Sequence, residues 1–439
     1  MSARNRELLA LIPASLLLTA GFTAIFIQQS EVVSDLSLTY GAWFLGLCFL
    51  GHLFLRFTLP YADPYMFPLV AVLACFGLVV IYRIDEELAR EQAQWFVVGL
   101  ALFAATILLL RDLRVLERYR YTIALVGLLL LFLPRVPGIG QQVNGAYLGV
   151  GIGPISFQPA EFGKIAIIIF LAAYLASARQ VLVQGATRFL GVTIPPLKHF
   201  GPLLVVWGAA MLMLVFIRDL GSSLMYFGGF LALLYVATNR LSFVVIGMGL
   251  FAVGAWFFAN TVSHVQDRVD IWLDPFNPEW VERQGYQIAQ SVFAQADGGL
   301  FGTGLGASLL DAPGGGPLIP APHTDLIYAV IANELGLVGA CGLILVYMLL
   351  AERGFRTATL ATDSFSKLLA AGLSAVFALQ VFVIVGGVTR VIPLTGVTLP
   401  FVSYGGSSIL ANFVLLALLL LVSERARRPA GGMGRRGLR

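Results

Sequence analysis

The stretch KLLAAGLSAVFALQVFVIVGGV, residues 367–388, carries a single charge, on Lys367 at its start. About 20 consecutive apolar residues suffice for a helix to cross the hydrocarbon core of a bilayer, and this run reaches that length. Its apolar residues are continuous and do not alternate with polar ones, which favours a helix over a strand of a membrane barrel. The stretch therefore predicts a transmembrane helix.

Apolar runs of this kind recur along the whole chain of 439 residues. Only 12% of the residues are charged and 58% are hydrophobic, whereas a soluble domain carries about 25% charged residues. Because lipid cannot hydrogen-bond to the backbone, spanning segments must be helices or closed barrels. We therefore predict an all-α polytopic membrane protein with about twelve spans. They are residues 8–28, 40–58, 65–83, 94–110, 120–134, 163–177, 202–216, 220–237, 242–260, 325–350, 367–388 and 407–423.

The distribution of basic residues predicts the orientation of these spans. Arg and Lys concentrate in every second loop and in the Arg-rich tail 425–439, which places both termini on the cytoplasmic side by the positive-inside rule. Arg4 and Arg6 precede the first run as in a signal peptide, but no A-x-A cleavage site follows, so we expect a retained anchor. This topology accounts for the net charge of +4, and no nucleic-acid partner is expected.

Ionisable residues lie at or near the ends of several predicted spans, where polar groups are costly unless they line a cavity. Glu161 and Lys164 are three residues apart and share one helix face. The others are Arg218 and Asp219, between two spans with almost no loop, and His323, Asp325 and Glu334, which flank or enter the tenth span. Any one of them is equally consistent with a structural role in helix packing. Their convergence on one half of the membrane favours a functional site.

Two further segments depart from the pattern of plain spans. The loop 261–324 is long and rich in aromatic residues, which indicates an ordered, functional loop. Residues 393–408, PLTGVTLPFVSYGGSS, contain two prolines and three glycines, which prevent a regular helix. Irregular backbone at membrane depth must face protein or a water-filled cavity. Its free N–H groups, with Ser403 and Ser407, could hold an anion, and a re-entrant packing loop is the structural alternative.

These segments together resemble the SEDS family (shape, elongation, division and sporulation), the group of RodA, FtsW and SpoVE. Four motifs stand in the family's order: FQPAEFGK at 157–164, GYQ at 285–287 with the glycine run 298–306, HTD at 323–325 through ELG at 334–336, and LPFVSYGGSS at 399–408. Asp63-Pro64 looks like the start of the family's ten-span core, which here covers residues 63–424. Residues 1–62 are then an added pair of helices, similar to RodA-type members from high-GC Gram-positive bacteria.

The resemblance implies a peptidoglycan glycosyltransferase in the bacterial cytoplasmic membrane. Family members polymerise lipid II at the outer face, together with a class B penicillin-binding protein that cross-links the strands. A sugar hydroxyl of the acceptor attacks a donor whose leaving group is undecaprenyl pyrophosphate, with inversion and without a covalent intermediate. A carboxylate general base and cations for the pyrophosphate are therefore expected.

The family's essential Asp lies in a D-P step of the long loop, ahead of GYQ. Asp274 precedes Pro275 and is the predicted base. The family's usual spacing to GYQ is shorter and would fall on Asn277, which cannot act as a base. Substitute bases in the same loop are Asp270, Glu279 and Glu282.

For the pyrophosphate we predict Lys164 and Arg218, with Glu161 holding Lys164 in place or binding a divalent cation. Further substrate-binding candidates are Arg390, Ser403 and Ser407. Structural or orienting roles are assigned to Gln158, Asp219, His323, Asp325 and Glu334. The His and acidic residues lack the spacing of a metal site, although a Mg²⁺ or Mn²⁺ ion held by carboxylates is compatible with the sequence.

Two other functions fit a protein with these spans. A lipid II flippase or transporter would show paired repeats with broken helices at matching positions, and no such self-similarity is visible. A non-enzymatic scaffold of the wall-synthesis complex would have no use for Asp274 as a base. The sequence is compatible with roles in elongation, division and sporulation.

Overall fold

The computed structural model describes residues 2–29, 35–143, 146–152, 155–184, 187–189, 192–194, 201, 205, 208–209, 212, 219–308 and 318–429. Its helices are α1 Ala3–Ala10, α2 Ile12–Gln29, α3 Asp35–Thr58, α4 Met66–Ile84, α5 Glu86–Leu109, α6 Arg114–Arg118, α7 Arg120–Phe132, α8 Pro159–Gln184, α9 Leu220–Thr238, α10 Leu241–Thr261, α11 Ser263–Leu273, α12 Tyr286–Gly298, α13 Ile327–Leu360, α14 Ser364–Val388 and α15 Gly406–Arg427. The strands are β1 Gly140–Val143, β2 Ala146–Ile152, β3 Ile155–Phe157, β4 Thr187–Phe189 and β5 Val192–Ile194.

Among the described residues, ten helices are long and apolar enough to cross a membrane. The prediction of an all-α multi-pass membrane protein is confirmed, but the count of twelve spans is not. The predicted span 120–134 forms α7, which has 13 residues. A helix of that length reaches about 20 Å, less than the roughly 30 Å of a hydrocarbon core. The predicted span 202–216 lies almost entirely outside the described residues.

Helices α14 and α15 form the centre of the bundle. In their most apolar windows 78% and 83% of the residues are buried, against 11% in α10 at the rim. α15 packs along α5, and α14 contacts α8, α9 and α13. Small residues allow the close approach: a Cβ on Gly372 of α14 would lie 2.9 Å from side chains of Ile168 and Leu233. This packing holds Ile168 of α8 and Leu233 of α9 against the middle of α14.

Helix α13 is interrupted at Gly336, whose φ is +63°. The break leaves backbone N–H and C=O groups on both sides without partners in the helix. The glycine run 298–306 of the long loop (residues 261–324) hydrogen-bonds to them. The four backbone bonds, of 2.9, 3.0, 3.0 and 3.1 Å, join Thr303 to Asn333, Gly304 to Glu334, Leu337 to Gly299 and Val338 to Leu300. Because buried peptide groups must be paired, the loop and the kinked helix stabilise each other.

The chain between α14 and α15 has no regular secondary structure, as predicted. Arg390 and Phe401 have positive φ values of 61° and 64°. Phe401 and Val402 are buried. A Cβ on Gly77 of α4 would come within 2.6 Å of the Val402 Cα atom. This irregular segment therefore faces protein, which is where such backbone is tolerated.

Strands β1, β2 and β3 form a three-stranded antiparallel sheet in the order β1-β2-β3, which the sequence analysis did not predict. Gly149 and Gly151 of β2 hide the pattern, since glycine has low strand propensity. Both glycines lie against the side chain of Gln141 in β1. The sheet ends at Phe157 and therefore positions the start of α8.

The start of the predicted core is fixed to the last helix. The backbone N–H of Asp63 donates to the Ser423 hydroxyl at 2.9 Å, and Arg427 Nη2 donates to the Asp63 carboxylate at 2.7 Å. The N–H of Tyr61 donates to Glu424 at 2.7 Å. Both ends of the core therefore meet on one side of the bundle.

Candidate functional site

The ammonium of Lys164 is the centre of a buried polar group inside the bundle. Lys164 is 1% exposed. Its Nζ donates to Glu161 Oε2 and to Gln380 Oε1, both at 2.6 Å. Gln380 Nε2 in turn donates to the carbonyl oxygen of Thr398 at 2.9 Å. We call these four residues the Lys164 group.

The first turn of α8 positions this group. Glu161 lies in that turn, where the helix dipole favours a carboxylate, and Lys164 follows three residues later on the same face. Tyr226 of α9 donates its hydroxyl to the carbonyl oxygen of Ala160 at 2.6 Å, which joins the two helix starts. The structure thus brings the predicted pair Glu161 and Lys164 together as a buried ion pair.

Arg268 of α11 reaches from the long loop towards the buried carboxyl of Asp219 and the half-buried carboxyl of Asp325. Its Nη1 donates to the carbonyl oxygen of Leu394 at 2.6 Å, and its charge acts on Asp219 and Asp325. Asp219 caps α9 by accepting the backbone N–H of Ser222 at 2.9 Å. We call Asp219, Arg268 and Asp325 the Arg268 group.

Burial governs the protonation of the Arg268 group. It raises the pKa of the Asp219 carboxyl, which hydrogen bonds and Arg268 oppose and the neighbouring Glu161 reinforces. Burial likewise raises the pKa of Asp325, against its hydrogen bonds and the charge of Arg268. Burial lowers the pKa of the Arg268 guanidinium, and both carboxylates counteract this. One cation therefore compensates two carboxyls, and the group binds a proton more readily than isolated Asp residues.

Segment 394–398 joins the two groups. It accepts one hydrogen bond from Arg268 at Leu394 and one from Gln380 at Thr398. Between these points it packs on the start of α9, where a Cβ on Gly221 would lie 2.1 Å from a methyl of Val397. The Lys164 group and the Arg268 group are therefore parts of one polar region.

Arg390 lies at the contact between the long loop and the chain after α14. Its Nη2 donates to the carbonyl oxygens of Trp272 and Leu273 at 2.9 and 3.2 Å. The Trp272 indole N–H donates back to the carbonyl oxygen of Arg390 at 3.0 Å. Arg390 thus fastens the end of α11, next to the predicted base.

The side chains of Ser403 and Ser407 bond within the protein. The Ser403 hydroxyl donates to the carbonyl oxygen of Thr324 at 2.6 Å and accepts the N–H of Leu399 at 2.8 Å. The Ser407 hydroxyl accepts the N–H of Gln158 at 2.9 Å. These bonds join the motifs of residues 157–164, 323–325 and 399–408. The predicted role of the two hydroxyls in substrate binding stays a prediction.

His323 and Tyr404 pack against each other, and His323 is two residues before Asp325 of the Arg268 group. Their rings meet edge to face with centroids 5.7 Å apart, and the Tyr404 hydroxyl donates to Glu91. Burial lowers the pKa of His323, although the charges of Asp85 and Asp325 act against it. Burial and the bond to Glu91 raise the pKa of Tyr404. At neutral pH the imidazole is therefore neutral and the phenol keeps its proton.

Glu334 takes part in a separate contact. It is 1% exposed and pairs with Arg83 at 3.4 Å. It also accepts the N–H of Gly306 at 2.9 Å and the hydroxyl of Ser308. Glu334 therefore binds the long loop at Gly306 and Ser308 to α13, and within the described part of the chain it forms no hydrogen bond or ion pair with the Lys164 group.

Asp274 follows the last residue of α11 and is exposed, and its carbonyl oxygen accepts the indole N–H of Trp280 at 2.7 Å. The substitute bases are the half-buried Asp270 and the exposed Glu279 and Glu282. Within the described part of the chain, none of the four carboxylates forms a hydrogen bond or ion pair with Lys164 or Arg268. The predicted Arg218 lies outside the described residues.

Three members of this region were missed by the sequence analysis: Arg268, Gln380 and Thr398. Gln380 is a polar residue in the middle of the apolar stretch 367–388, and that position was a usable signal. Arg268 is one helical turn before Trp272 on α11, and both reach the chain after α14. Thr398 contributes a backbone carbonyl oxygen, which no side-chain pattern marks.

The described residues contain no group of three or more His, Cys, Asp or Glu side chains placed to hold a metal ion. The carboxyls of the Arg268 group are instead compensated by a guanidinium.

Comparison with known proteins gives consistent matches over most of the chain. The family model FtsW/RodA/SpoVE, described as cell cycle protein, matches residues 64–428. Peptidoglycan glycosyltransferase RodA of Mycobacterium tuberculosis is 43% identical over 438 residues, which cover 97% of this chain and 92% of that protein. This confirms the predicted resemblance to RodA-type members.

Two solved structures share the fold. One, from work on structural coordination of polymerization and crosslinking by a peptidoglycan synthase complex, has a TM-score of 0.64 and 28% identity and covers 84% of this chain and 99% of its own. The other, rod shape determining protein RodA of Thermus thermophilus, has a TM-score of 0.58 and 28% identity, with 84% and 98% covered. The matched residues include the Lys164 group, the Arg268 group and the long loop, and the chain belongs to the FtsW/RodA/SpoVE family of membrane proteins.

Proposed function

We propose that this chain is a peptidoglycan glycosyltransferase that polymerises lipid II into glycan strands for cell shape or division. The observation that carries the proposal is the polar region in which the Lys164 group and the Arg268 group meet on segment 394–398. Glu161, Lys164 and Asp219 are buried, and ionisable groups kept inside a membrane protein are costly, which favours a functional role for them. Lys164 pairs with the Glu161 carboxylate, and Arg268, from the long loop, interacts through its charge with Asp219 and Asp325.

The reaction separates a diphosphate from a sugar, and this step defines the role of the cations. As the anomeric carbon of the donor is attacked, its bond to undecaprenyl pyrophosphate breaks and negative charge collects on the leaving oxygen. Preorganised cations stabilise such charge without reorganising during the reaction. Lys164 and Arg268 take this role, with Arg218 as the further candidate from the sequence.

Asp274 is the proposed general base. The acceptor hydroxyl loses its proton to this carboxylate while the new glycosidic bond forms with inversion. The carboxylate has no hydrogen-bond or ion-pair partner among the described residues, which leaves it free to accept a proton. Arg390 and Trp272 fix the helix end that bears it. Asp270, Glu279 and Glu282 remain the substitutes.

The proposed setting is the bacterial cytoplasmic membrane, with both termini in the cytoplasm and the long loop outside. Alternation of basic loops supports this orientation. A class B penicillin-binding protein is the proposed partner, because a structural match comes from a complex that coordinates polymerization and crosslinking. Residues 63–424 form the proposed catalytic core, residues 1–62 an added pair of helices and residues 425–439 a basic tail.

The direct test uses purified protein, with and without its class B partner, and lipid II carrying a fluorescent label. We expect glycan polymer on a gel in the absence of any other synthase, and much slower formation of polymer by Lys164→Met. Movement of lipid II between leaflets without polymer would instead support the flippase function. If a catalytically inactive variant of this protein still binds the partner, and cells that carry only this variant still grow, the scaffold function would be supported.

A further inference from the structure

We propose that Gln380 is a positioning residue that aims the Lys164 ammonium at the diphosphate of the donor. This inference rests on the proposed function and adds a residue to its machinery. The Gln380 amide makes two hydrogen bonds at once: its Oε1 accepts from Lys164 Nζ at 2.6 Å, and its Nε2 donates to the carbonyl oxygen of Thr398 at 2.9 Å. A side chain from the centre of the bundle thereby links the cation to the irregular segment 394–398.

The amide of Gln380 has only one favourable orientation. Its NH₂ group can only donate and its oxygen can only accept. The carbonyl oxygen of Thr398 accepts, and the ammonium of Lys164 donates, so a flipped amide would face like against like at both ends. Gln380 is 0% exposed, so its side chain is out of contact with bulk solvent. The amide is therefore fixed by its two partners.

Fixing the amide also fixes the ammonium. An ammonium has three N–H donors. Among the described residues, Glu161 and Gln380 accept two of them, from α8 and from α14. Two acceptors on different helices define where Nζ lies and leave the third donor for an anionic oxygen of the substrate. If Glu161 were the only acceptor, the Lys164 ammonium would be held only by a residue of its own helix. It could then move together with α8 relative to the rest of the site.

The tie to Thr398 extends this control to the other cation. Arg268 binds the same segment at Leu394, four residues earlier. The separation of the two cations therefore depends on Gln380 holding α14 to segment 394–398. A polar residue used only for helix packing would behave differently: Ser374, also buried on α14, donates to the carbonyl oxygen of Ala370 in its own helix.

The test is a double-mutant cycle on the full-length protein with its class B partner. Gln380→Met keeps the length of the side chain and removes both hydrogen bonds. We expect it to lower kcat for lipid II polymerisation by about tenfold to a hundredfold, because small misplacements of a catalytic charge cost that much. KM should change much less. In a Lys164→Met background, Gln380→Met should have no further effect on kcat.

Ser374→Ala is the matched control on the same helix, and it should leave kcat unchanged. Lys164→Met should lower kcat by the same factor whether or not Ser374→Ala is present. Multiplicative losses in the double variant would overturn the inference, since they would show that Gln380 acts independently of Lys164. So would full activity of Gln380→Met. If the wild-type protein makes no polymer, the proposed function itself falls, and this inference falls with it.

A second variant keeps the test decisive if Gln380→Met does not fold. Gln380→Glu retains an oxygen facing Lys164 and loses the donor to Thr398. We expect its kcat to stay about tenfold above that of Lys164→Met, because the ammonium keeps its second acceptor. A rate no higher than that of Lys164→Met would overturn the inference.

Discussion

The charged residues of the polar region differ in how fully they are satisfied. Lys164 donates to two acceptors, each at 2.6 Å, whereas Arg268 donates to one carbonyl oxygen and acts on two carboxyls through its charge. Asp274 has no such partner among the described residues. Groups held by the protein suit binding of a diphosphate, and an unpaired carboxylate suits removal of a proton.

Replacing Asp274 by Asn tests the base. We expect polymerisation to fall by about 10²–10⁴-fold, the usual contribution of general base catalysis, with binding of the class B partner intact. The readout is the initial rate of polymer formation from labelled lipid II. Glu279→Gln and Glu282→Gln are controls in the same loop and should stay near wild type. If one of them loses activity while Asp274→Asn keeps it, the base is reassigned to that residue.

Replacing Arg268 by Met tests the electrostatics of its group. Burial raises the pKa of Asp219 and Asp325 in the folded protein, so folding favours their protonated forms and stability falls as the pH rises through the folded pKa. Arg268 limits this rise, and its removal should steepen the loss of stability from about pH 4 upward. At neutral pH we expect a cost of about 2 kcal/mol from the lost charged hydrogen bond.

Thermal unfolding in detergent across this pH range measures the effect. Arg283→Met, which removes an exposed charge from the same loop, is the control and should follow the wild-type curve. Parallel curves for Arg268→Met and wild type would show that the guanidinium does not compensate the two carboxyls.

Whole elements follow the sequence closely where hydrophobicity alone defines them. The long apolar runs become helices, and the proline- and glycine-rich stretch 393–408 is irregular up to α15. α7 is shorter than its predicted span, since an apolar run does not reveal where a helix ends. The sheet of β1, β2 and β3 was missed because glycines interrupt the alternation of β2. The kink at Gly336 depends on partners in a distant loop, which local sequence does not encode.

Gly336→Ala tests the join between the long loop and α13. Gly336 has a positive φ, and a Cβ there would lie 2.3 Å from the backbone nitrogen of Gly302. We expect a loss of about 1–3 kcal/mol in stability, seen as a lower Tm, because the loop or the kink must shift. Gly342→Ala lies on the same helix with nothing within 4 Å of its Cβ and should be neutral or slightly stabilising. Equal Tm values for the two variants would contradict the contact.

On the scale of the molecule, function was easier to predict than the placement of its residues. Composition and motif order sufficed to identify a membrane protein of this family. The pairing of Glu161 with Lys164 follows from helix spacing. The assembly of Arg268, Asp219 and Asp325 requires three segments that lie far apart in sequence, and no periodicity relates them.

Deleting residues 2–60 tests the proposed boundary between the added helices and the core. All residues of the Lys164 and Arg268 groups lie beyond this segment. The faces of α4 and α5 that it uncovers would meet lipid, which is as apolar as the helices removed. We therefore expect a lower Tm with polymerisation retained within about threefold, measured on labelled lipid II. A folded but inactive truncation would place residues 1–62 within the functional core.

The bond between Asp63 and Arg427 joins residues 364 positions apart. A ribosome adding about 5–20 residues per second needs roughly 20–70 s to travel that distance. For most of this interval α5 has already been synthesised, while α15, which packs along it in the finished protein, has not. During synthesis the face of α5 that packs on α15 must therefore be covered by lipid or by the insertion machinery until the last helix leaves the ribosome.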